Sequence, residues 1–475
     1  MFLHRSVFAL TVAVACPAVA SAATPPNIIF ILADDVAMGD LGSYGQELIE
    51  TPHLDRMAAE GTRYTSAYAG TSVCAPSRSS LMTGLDMGRC PVRANWEIKP
   101  EGQLPLPEGT VTVAGILKEA GYRTACMGKW GMGMFDTSGS PLAAGFDHFY
   151  GYNCQRHAHT YFPDFLYDDA ERFDLEEGAY AGDMIQDEVE DWVRSAAGGP
   201  FFLFYSTTLP HGRYEIDDTR QYADREGWTE KEKTYAAMVS RLDEHVGRLL
   251  DLLAELGVDD NTLVMFSGDN GSSFDDNSDI ARTFDQSMGG KLRGFKRGMY
   301  EGGLRQAALA RWPGVVPAGR VTDGPWAFWD FLPTAVELAG ATSPEGYESS
   351  GLSLVDFLKG ADAPVREAFY FELQFYNRGK GRAYKANQAV RFGDWKAVRN
   401  RRGGPVELYD LGSDLGETRD LAASRPDLVE RAVALMASAR DDNPRWPDPA
   451  LPPRAEDRPK PSNKSKGKAS SKAGA

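Results

Sequence analysis

Five short apolar runs punctuate the chain, at residues 27–32 (Asn-Ile-Ile-Phe-Ile-Leu), 122–127, 201–206, 261–266 and 307–312. They lack a regular apolar/polar alternation, which is the pattern of strands buried on both faces. Between them lie segments of helical period. Residues 51–64 place Leu54, Met57 and Ala58 on one face, and residues 231–256 repeat Leu242, Val246, Leu249, Leu250 and Leu253 at helical spacing. Residues 111–120, 182–197 and 327–339 also read as helices. Strands alternating with helices predict an α/β domain.

The pattern changes after Ala363-Pro364. Residues 369–375, 388–392, 395–398 and 406–409 read as short strands, with turns at Gly393-Asp394 and Gly403-Gly404, and residues 426–439 as a closing helix. This predicts a smaller α+β domain. From Pro444 the chain is rich in Pro, Lys and Ser, the composition of a disordered tail. The predicted organisation is therefore a signal peptide over 1–22, an α/β domain over 23–364, an α+β subdomain over 365–443 and a basic tail over 444–475.

The signal peptide rests on three features. His4 and Arg5 precede a mostly apolar stretch at residues 7–19, and Ala20-Ser21-Ala22 is a small-residue cleavage site. Export to the periplasm or the medium is expected, with no integral membrane segment in the mature chain. The formal net charge is -16, and the basic tail makes the body more acidic still. Bulk charge thus argues against a nucleic-acid partner, while a few local cations can still hold a small anion. After the signal, Cys74, Cys90, Cys126 and Cys154 show no zinc-ligand spacing.

Candidate chemistry collects where strands end. Asp34-Asp35 follows the first run, Lys129 the second, Pro210-His211 the third, and Asp269-Asn270 the fourth. Ligands of open α/β sheets gather at the carboxyl ends of the strands. Two adjacent carboxylates repel unless a cation or protons intervene. Carboxylates plus an amide oxygen suit Ca²⁺, or Mg²⁺ as the other hard cation. Arg78, Lys129, His211 and Lys296 bring positive charge. A metal with such cations neutralises a tetrahedral oxyanion, which fits sulfuryl and phosphoryl transfer alike. A further segment, residues 147–166, is rich in aromatics and carries Arg156, His157 and His159, as a packed loop or a binding loop. Trp96 and Tyr161 are aromatic groups able to stack on a sugar ring, or to pack in the core.

The stretch Ser-Val-Cys-Ala-Pro-Ser-Arg-Ser-Ser-Leu-Met-Thr-Gly, residues 72–84, organises these parts. Cys74 is expected at a helix start, where free N–H groups favour negative charge. Pro76 suits the first turn, and Arg78 lies one turn on, on the same side as Cys74. Cys-x-Pro-Ser-Arg followed by Leu81-x-Thr83-Gly84 resembles the signature of type I sulfatases. Asp34-Asp35, Gly128-Lys129-Trp130, Pro210-His211, Ser267-Gly268-Asp269-Asn270-Gly271 and residues 296–303 resemble that family's other motifs, in order.

The resemblance implies an alkaline-phosphatase-like fold, a large mixed sheet sandwiched by helices, and hydrolysis of sulfate esters. It implies that a formylglycine-generating maturation enzyme oxidises Cys74 to formylglycine (3-oxoalanine). Ca²⁺ would then be held by Asp34, Asp35, Asp269, Asn270 and the modified residue. Arg78 and Lys129 would stabilise the hydrated aldehyde and the sulfate, Lys296 a sulfate oxygen, and His211 the leaving alcohol. The need for the modification is physical. A thiolate would leave a stable S-sulfo adduct, whereas one hydroxyl of a geminal diol attacks sulfur and the other, deprotonated, expels sulfate.

One departure stands out. Most relatives carry histidine where this chain has Gly131, which leaves the base of the second step open. His157 or His159 is the expected replacement, and with Arg156 a candidate substrate contact. Glycine with a histidine-aromatic loop resembles bacterial sulfatases of carbohydrates. Sulfated small molecules or glycans are the expected substrates. A phosphonate monoester or phosphodiester hydrolase using the same aldehyde is the alternative, as is a non-catalytic sulfoglycan-binding protein with Cys74 unmodified.

Overall fold

The computed structural model describes residues 24–98, 102–275, 277–377 and 382–453. Eleven strands form one sheet: β1 (Asn27–Ala33), β2 (Thr62–Tyr68), β3 (Arg123–Lys129), β4 (His148–Tyr152), β5 (Phe165–Asp168), β6 (Glu171–Asp174), β7 (Phe201–Ser206), β8 (Thr262–Gly268), β9 (Arg305–Arg311), β10 (Arg320–Thr322) and β11 (Trp326–Ala327). The spatial order is β10-β2-β9-β8-β1-β7-β3-β4-β5-β6, with β11 beside β2. The centre, β8-β1-β7-β3-β4, is parallel, and β9 runs antiparallel to β8 and β2. The expected large mixed sheet is thus present.

Its central strand shows why such runs are continuous in apolar residues. All seven residues of β1 are buried. Ile29, Ile31 and Ala33 join one core with Leu242, Val246 and Leu249. Ile28, Phe30 and Leu32 point the other way, into a second core with Leu81, Met82 and Leu117. Successive side chains alternate faces, so a strand between two helical layers needs apolar residues throughout. The flanking helices are α1 (Pro52–Glu60), α2 (Cys74–Thr83), α3 (Val113–Glu119), α4 (Ala181–Ala196), α5 (Glu230–Glu255) and α6 (Phe331–Leu338). The start of α5 is closed reciprocally: the Glu232 amide donates to Thr229 Oγ1, and the Thr229 amide donates to Glu232 Oε2 at 2.7 Å.

Two expected helices are shorter than their apolar period suggests. The helix expected over 51–64 stops at Glu60, and β2 begins at Thr62. Gly61 makes the break, because any Cβ there would run into the Ala310 carbonyl of β9. The helix expected over 327–339 begins only at Phe331, after β11 and a 3₁₀ turn.

The C-terminal part is a four-stranded antiparallel sheet, β12 (Phe369–Asn377), β13 (Arg382–Phe392), β14 (Trp395–Arg399) and β15 (Glu407–Asp410), with helix α7 (Pro426–Ser438). One face packs on α7 through Val390, Leu408, Leu435 and Met436. The other, through Phe369, Phe371, Leu373 and Val398, packs on Tyr68, Val73 and Trp329 of the larger domain. Buried Lys396 crosses this junction. Its Nζ lies 2.8 Å from Glu301 Oε1 and 2.9 Å from Glu417 Oε1.

The tail expected to be disordered from Pro444 is ordered and packed as far as Pro453. Trp446 is fully buried, its Nε1 donates to the Pro91 carbonyl at 3.0 Å, and its ring meets Trp96 edge-on at 5.7 Å. The Pro-rich composition concealed one aromatic anchor. The expected signal peptide and the Lys-rich end lie outside the described residues. No helix among the described residues is long and apolar enough to cross a membrane. Trp446→Ala is expected to lower the unfolding free energy by about 3–5 kcal/mol, the cost of emptying a buried aromatic site, read from the midpoint of urea unfolding.

Candidate active site

Strand register brings the acidic pairs together. Ala33 of β1 pairs with Gly268 of β8, so Asp34-Asp35 and Asp269-Asn270 leave the sheet side by side. The Asp269 amide donates to the Ala33 carbonyl at 2.9 Å, and the Asp35 amide to Asp269 Oδ1 at 3.2 Å. Asp35 takes a left-handed backbone, φ 67°, rare outside glycine and a form of strain typical of functional sites. All three carboxylates are buried.

Buried carboxylates need compensation, and three cations supply it. Arg78 projects from α2, with Nη2 at 3.0 Å from Asp269 Oδ2 and 3.7 Å from Asp34 Oδ2. Its Nη1 donates to the Lys129 carbonyl at 2.8 Å and to Ser206 Oγ. Lys129, the last residue of β3, donates Nζ to Asp34 Oδ2. Lys296 Nζ lies 2.6 Å from Asp35 Oδ1 and 3.2 Å from Cys74 Sγ. Burial opposes charge on Asp34, yet Lys129, Arg78 and Lys296 together hold its carboxyl well below the usual range.

Cys74 opens α2, as the pattern predicted, with Val73 as the residue before it. The Ala75 amide donates to Asn95 Oδ1 at 2.9 Å, which satisfies one of the free donors of the helix start. Cys74 Sγ lies 3.5 Å from Asp34 Oδ1. Burial first, then the Asp269 and Asp34 carboxylates, push its thiol up to about 12, so the encoded side chain is a protonated thiol.

A cavity of about 450 Å³ opens onto this cluster. Cys74, Asp35, Lys296, His211, His159 and Gln155 line it. The small sheet contributes Gln374, Phe375 and Tyr376 to the lining, so both domains shape the cavity. His211 Nε2 lies 3.4 Å from Asp35 Oδ2, and its ring stacks on His159 at 4.7 Å. Burial pushes His211 down to about 3 and His159 down to about 4, which leaves both imidazoles neutral at neutral pH.

The candidate residues separate by position. Asp34, Asp35, Asp269, Asn270, Cys74, Arg78, Lys129, His211 and Lys296 converge, though Arg78 and Lys129 grip the carboxylates and do not line the cavity. His159 lines the cavity, but His157 does not. Its ring stacks on Phe165 at 4.2 Å and meets Tyr152 edge-on, which corrects the expectation that it faces the substrate. Arg156 is exposed and pairs with Glu97 at 2.5 Å, a cavity residue. Tyr161 is core: it is fully buried and donates to the Thr208 carbonyl at 2.6 Å. Trp96 stacks on Tyr376 at 5.1 Å. Asn95, Gln155 and Gln374 were not recognised from sequence, since isolated neutral amides in loops carry no motif.

The ligand set fits a hard cation. Asp35 Oδ2 and Asn270 Oδ1 are buried oxygens with no hydrogen-bond partner, an arrangement costly in the absence of an ion or water. Ligand atoms of Asp34, Asp35, Cys74 and His211 all lie within 4.8 Å of one another.

Comparison with known proteins is consistent with this geometry. A family model described as Sulfatase matches residues 26–341, and one described as N-sulphoglucosamine sulphohydrolase, C-terminal, matches residues 293–434. The chain is 33% identical over 380 residues to the N-acetylgalactosamine-6-sulfatase of Canis lupus familiaris, covering 74% of this chain and 69% of that protein. It is 31% identical over 474 residues to the arylsulfatase A of Homo sapiens, covering 87% of each. The crystal structure of Ps i-CgsB in complex with k-i-k-neocarrahexaose superposes with TM-score 0.78 at 27% identity, covering 91% of this chain and 96% of that one.

Arg78→Leu is expected to lower the unfolding free energy of the metal-free protein by about 3–5 kcal/mol, since it strips a buried cation from two buried carboxylates. Arg78→Lys restores only part of this, because an ammonium keeps the charge but not the fork of donors. Denaturant midpoints of the two variants measure the difference.

Proposed function

The chain belongs to the sulfatase family, a sulfuric ester hydrolase of alkaline-phosphatase-like fold, and on that premise we propose that it uses formylglycine made from Cys74, with Ca²⁺, to desulfate a carbohydrate. The observation that carries the reading is the convergence of buried, unpartnered oxygens on the cysteine that opens α2. Asp34, Asp35, Asp269, Asn270 and residue 74 would hold the ion. Three carboxylates and an amide oxygen favour Ca²⁺, with Mg²⁺ the other hard candidate. Bound there, a divalent cation supplies Lewis-acid stabilisation of a sulfate oxygen.

The chain's own residues account for the rest. Three carboxylates, Asp34, Asp35 and Asp269, face three cations, Arg78, Lys129 and Lys296. In formal charge the set carries no excess of negative charge without a metal and is net positive with one, the sign that a sulfate ester anion requires. Lys296, 3.2 Å from Cys74 Sγ, would hold a sulfate oxygen beside the nucleophile. His211 lines the cavity with a neutral imidazole that carries one N–H, and its Nδ1 has no partner. It is assigned to the leaving alcohol's oxygen, as a hydrogen-bond donor to the charge that develops there. Arg78 and Lys129 hold the carboxylates and so fix where the nucleophile stands.

A glycan substrate is supported by the neighbour solved with neocarrahexaose and by a cavity walled with Phe375, Tyr376 and Tyr384. Aromatic rings give sugar faces an apolar surface. The signal at residues 1–22 supports an exported protein, periplasmic or secreted, that meets its maturation enzyme as a partner.

Two measurements test the reading. Protein co-produced with a formylglycine-generating enzyme is expected to carry the aldehyde mass on the Cys74 peptide, and to cleave an aryl sulfate faster than an aryl phosphonate or phosphodiester. Full activity with an unmodified thiol would overturn the nucleophile, and the reverse substrate order would favour phosphonate hydrolysis. Ca²⁺ at a hundred times its Kd is expected to stabilise the protein by about 2.7 kcal/mol in thermal melts. EDTA reverses the gain, and Asn270→Leu abolishes it.

A further inference from the structure

Beyond the ends of β3 and β4 the two chains continue side by side. The Trp130 amide donates to the Tyr152 carbonyl at 3.0 Å, and the Gly131 amide to the Asn153 carbonyl at 2.9 Å. Gly131 has φ 81°, and a Cβ built on it would fall on Nε2 of Gln155, 3.0 Å from the Gln155 Cδ. Gln155 therefore fills the space that a side chain at position 131 would need. A side chain at position 131 would displace the end of the glutamine from this place.

The glutamine is held there at some cost. It is 4% exposed and lines the same cavity as Cys74, His211 and Lys296. Its backbone amide is anchored by Gln103 Oε1 at 3.3 Å. Its side-chain Nε2 is buried and has no hydrogen-bond acceptor. A buried donor without a partner is unfavourable, so it calls for a ligand. The sulfate group of the ester proposed for this cavity offers only acceptor oxygens.

We propose that Gln155 is a substrate-binding residue that donates its Nε2–H to an oxygen of the sulfate ester. This rests on the sulfatase reading of the cavity and extends it. A carboxamide carries no titratable proton, so Gln155 contributes a fixed, neutral donor and takes no part in proton transfer. Its contact is present in both bound substrate and transition state, and so acts mainly on KM. The same amide should contribute to the binding of free inorganic sulfate.

The test uses Gln155→Met, which keeps the volume against Gly131 and removes the donor, and Gln155→Glu, which turns the donor into an anion. With an aryl sulfate, Gln155→Met is expected to lower kcat/KM about tenfold to a hundredfold, chiefly through KM, as for loss of a hydrogen bond to a charged group. Gln155→Glu should lose more. The dissociation constant for inorganic sulfate, measured by calorimetry, should rise by a similar factor in both, with the pH profile of kcat unchanged. If wild type binds sulfate, the variants weaken that binding and no aryl sulfate is cleaved, the activity reading fails while this assignment stands. Wild-type kcat/KM and sulfate affinity in both variants would overturn it. So would the absence of any sulfate binding by wild type, or loss of the fold in Gln155→Met, which would show that the amide serves structure alone.

Discussion

Everything in the active site depends on holding Asp34, Asp35 and Asp269 together at full burial, where Asp34 and Asp35 are kept ionised while burial and repulsion from Asp34 push Asp269 up to about 7. Isolated carboxylates in such a place would take up protons or pull the structure apart, because desolvation of a charge exceeds any single interaction that folding provides. Arg78, Lys129 and Lys296 remove that conflict from three directions: the first turns of α2, the end of β3 and the loop ahead of β9. The helix that carries Cys74 is therefore fastened by its own arginine to the two strand ends that carry the acids. Moving any one of these elements would uncover a charge, so the nucleophile position and the ligand positions are set together.

The second sheet takes part in this arrangement. Val73, immediately before Cys74, packs in the junction between β12 to β15 and the main domain. Lys396, buried between Glu301 and Glu417, ties β14 to the segment leading into β9. Burial first, then repulsion from Glu301, offset in part by Lys396, pushes Glu417 up to about 7, while Glu301 is held down to about 2 by Lys396 and Arg305 against its burial. The junction thus resembles the active site in its chemistry. In both places a lysine is enclosed by carboxylates and kept in place by them, and the small sheet is locked at the distance that lets Gln374 to Tyr376 reach the cavity.

Much of this was legible before any coordinates. The apolar runs that became β1, β3, β7, β8 and β9 were recognisable because strands buried on both faces leave no place for polar residues. Asp34-Asp35, Lys129 and Asp269-Asn270 stood out because a charged pair directly behind such a run has no ordinary structural use. Helix α2 and the placement of Cys74 and Arg78 followed from local rules of spacing. The resemblance to a family supplied the roles. Strand β2 was hidden because Thr62 to Tyr64 continue a helical period by chance, and only the approach of the Ala310 carbonyl at Gly61 shows why the helix must stop. The ordered stretch around Trp446 was hidden by its proline-rich setting.

The sequence by itself determined the central buried strands and the longer helices, the acidic and basic residues available and their attachment to strand ends, since these depend on neighbours close in the chain. Only the tertiary structure decided which of them meet. The pairing of Ala33 with Gly268 aligns residues 235 positions apart. The aromatic loop turns His157 into a stack with Phe165 and leaves His159 against His211. Gln155, with no motif around it, enters the site because Gly131 leaves a gap on the adjoining chain. Such facts depend on register and on volume between distant segments, and neither quantity is written in local composition.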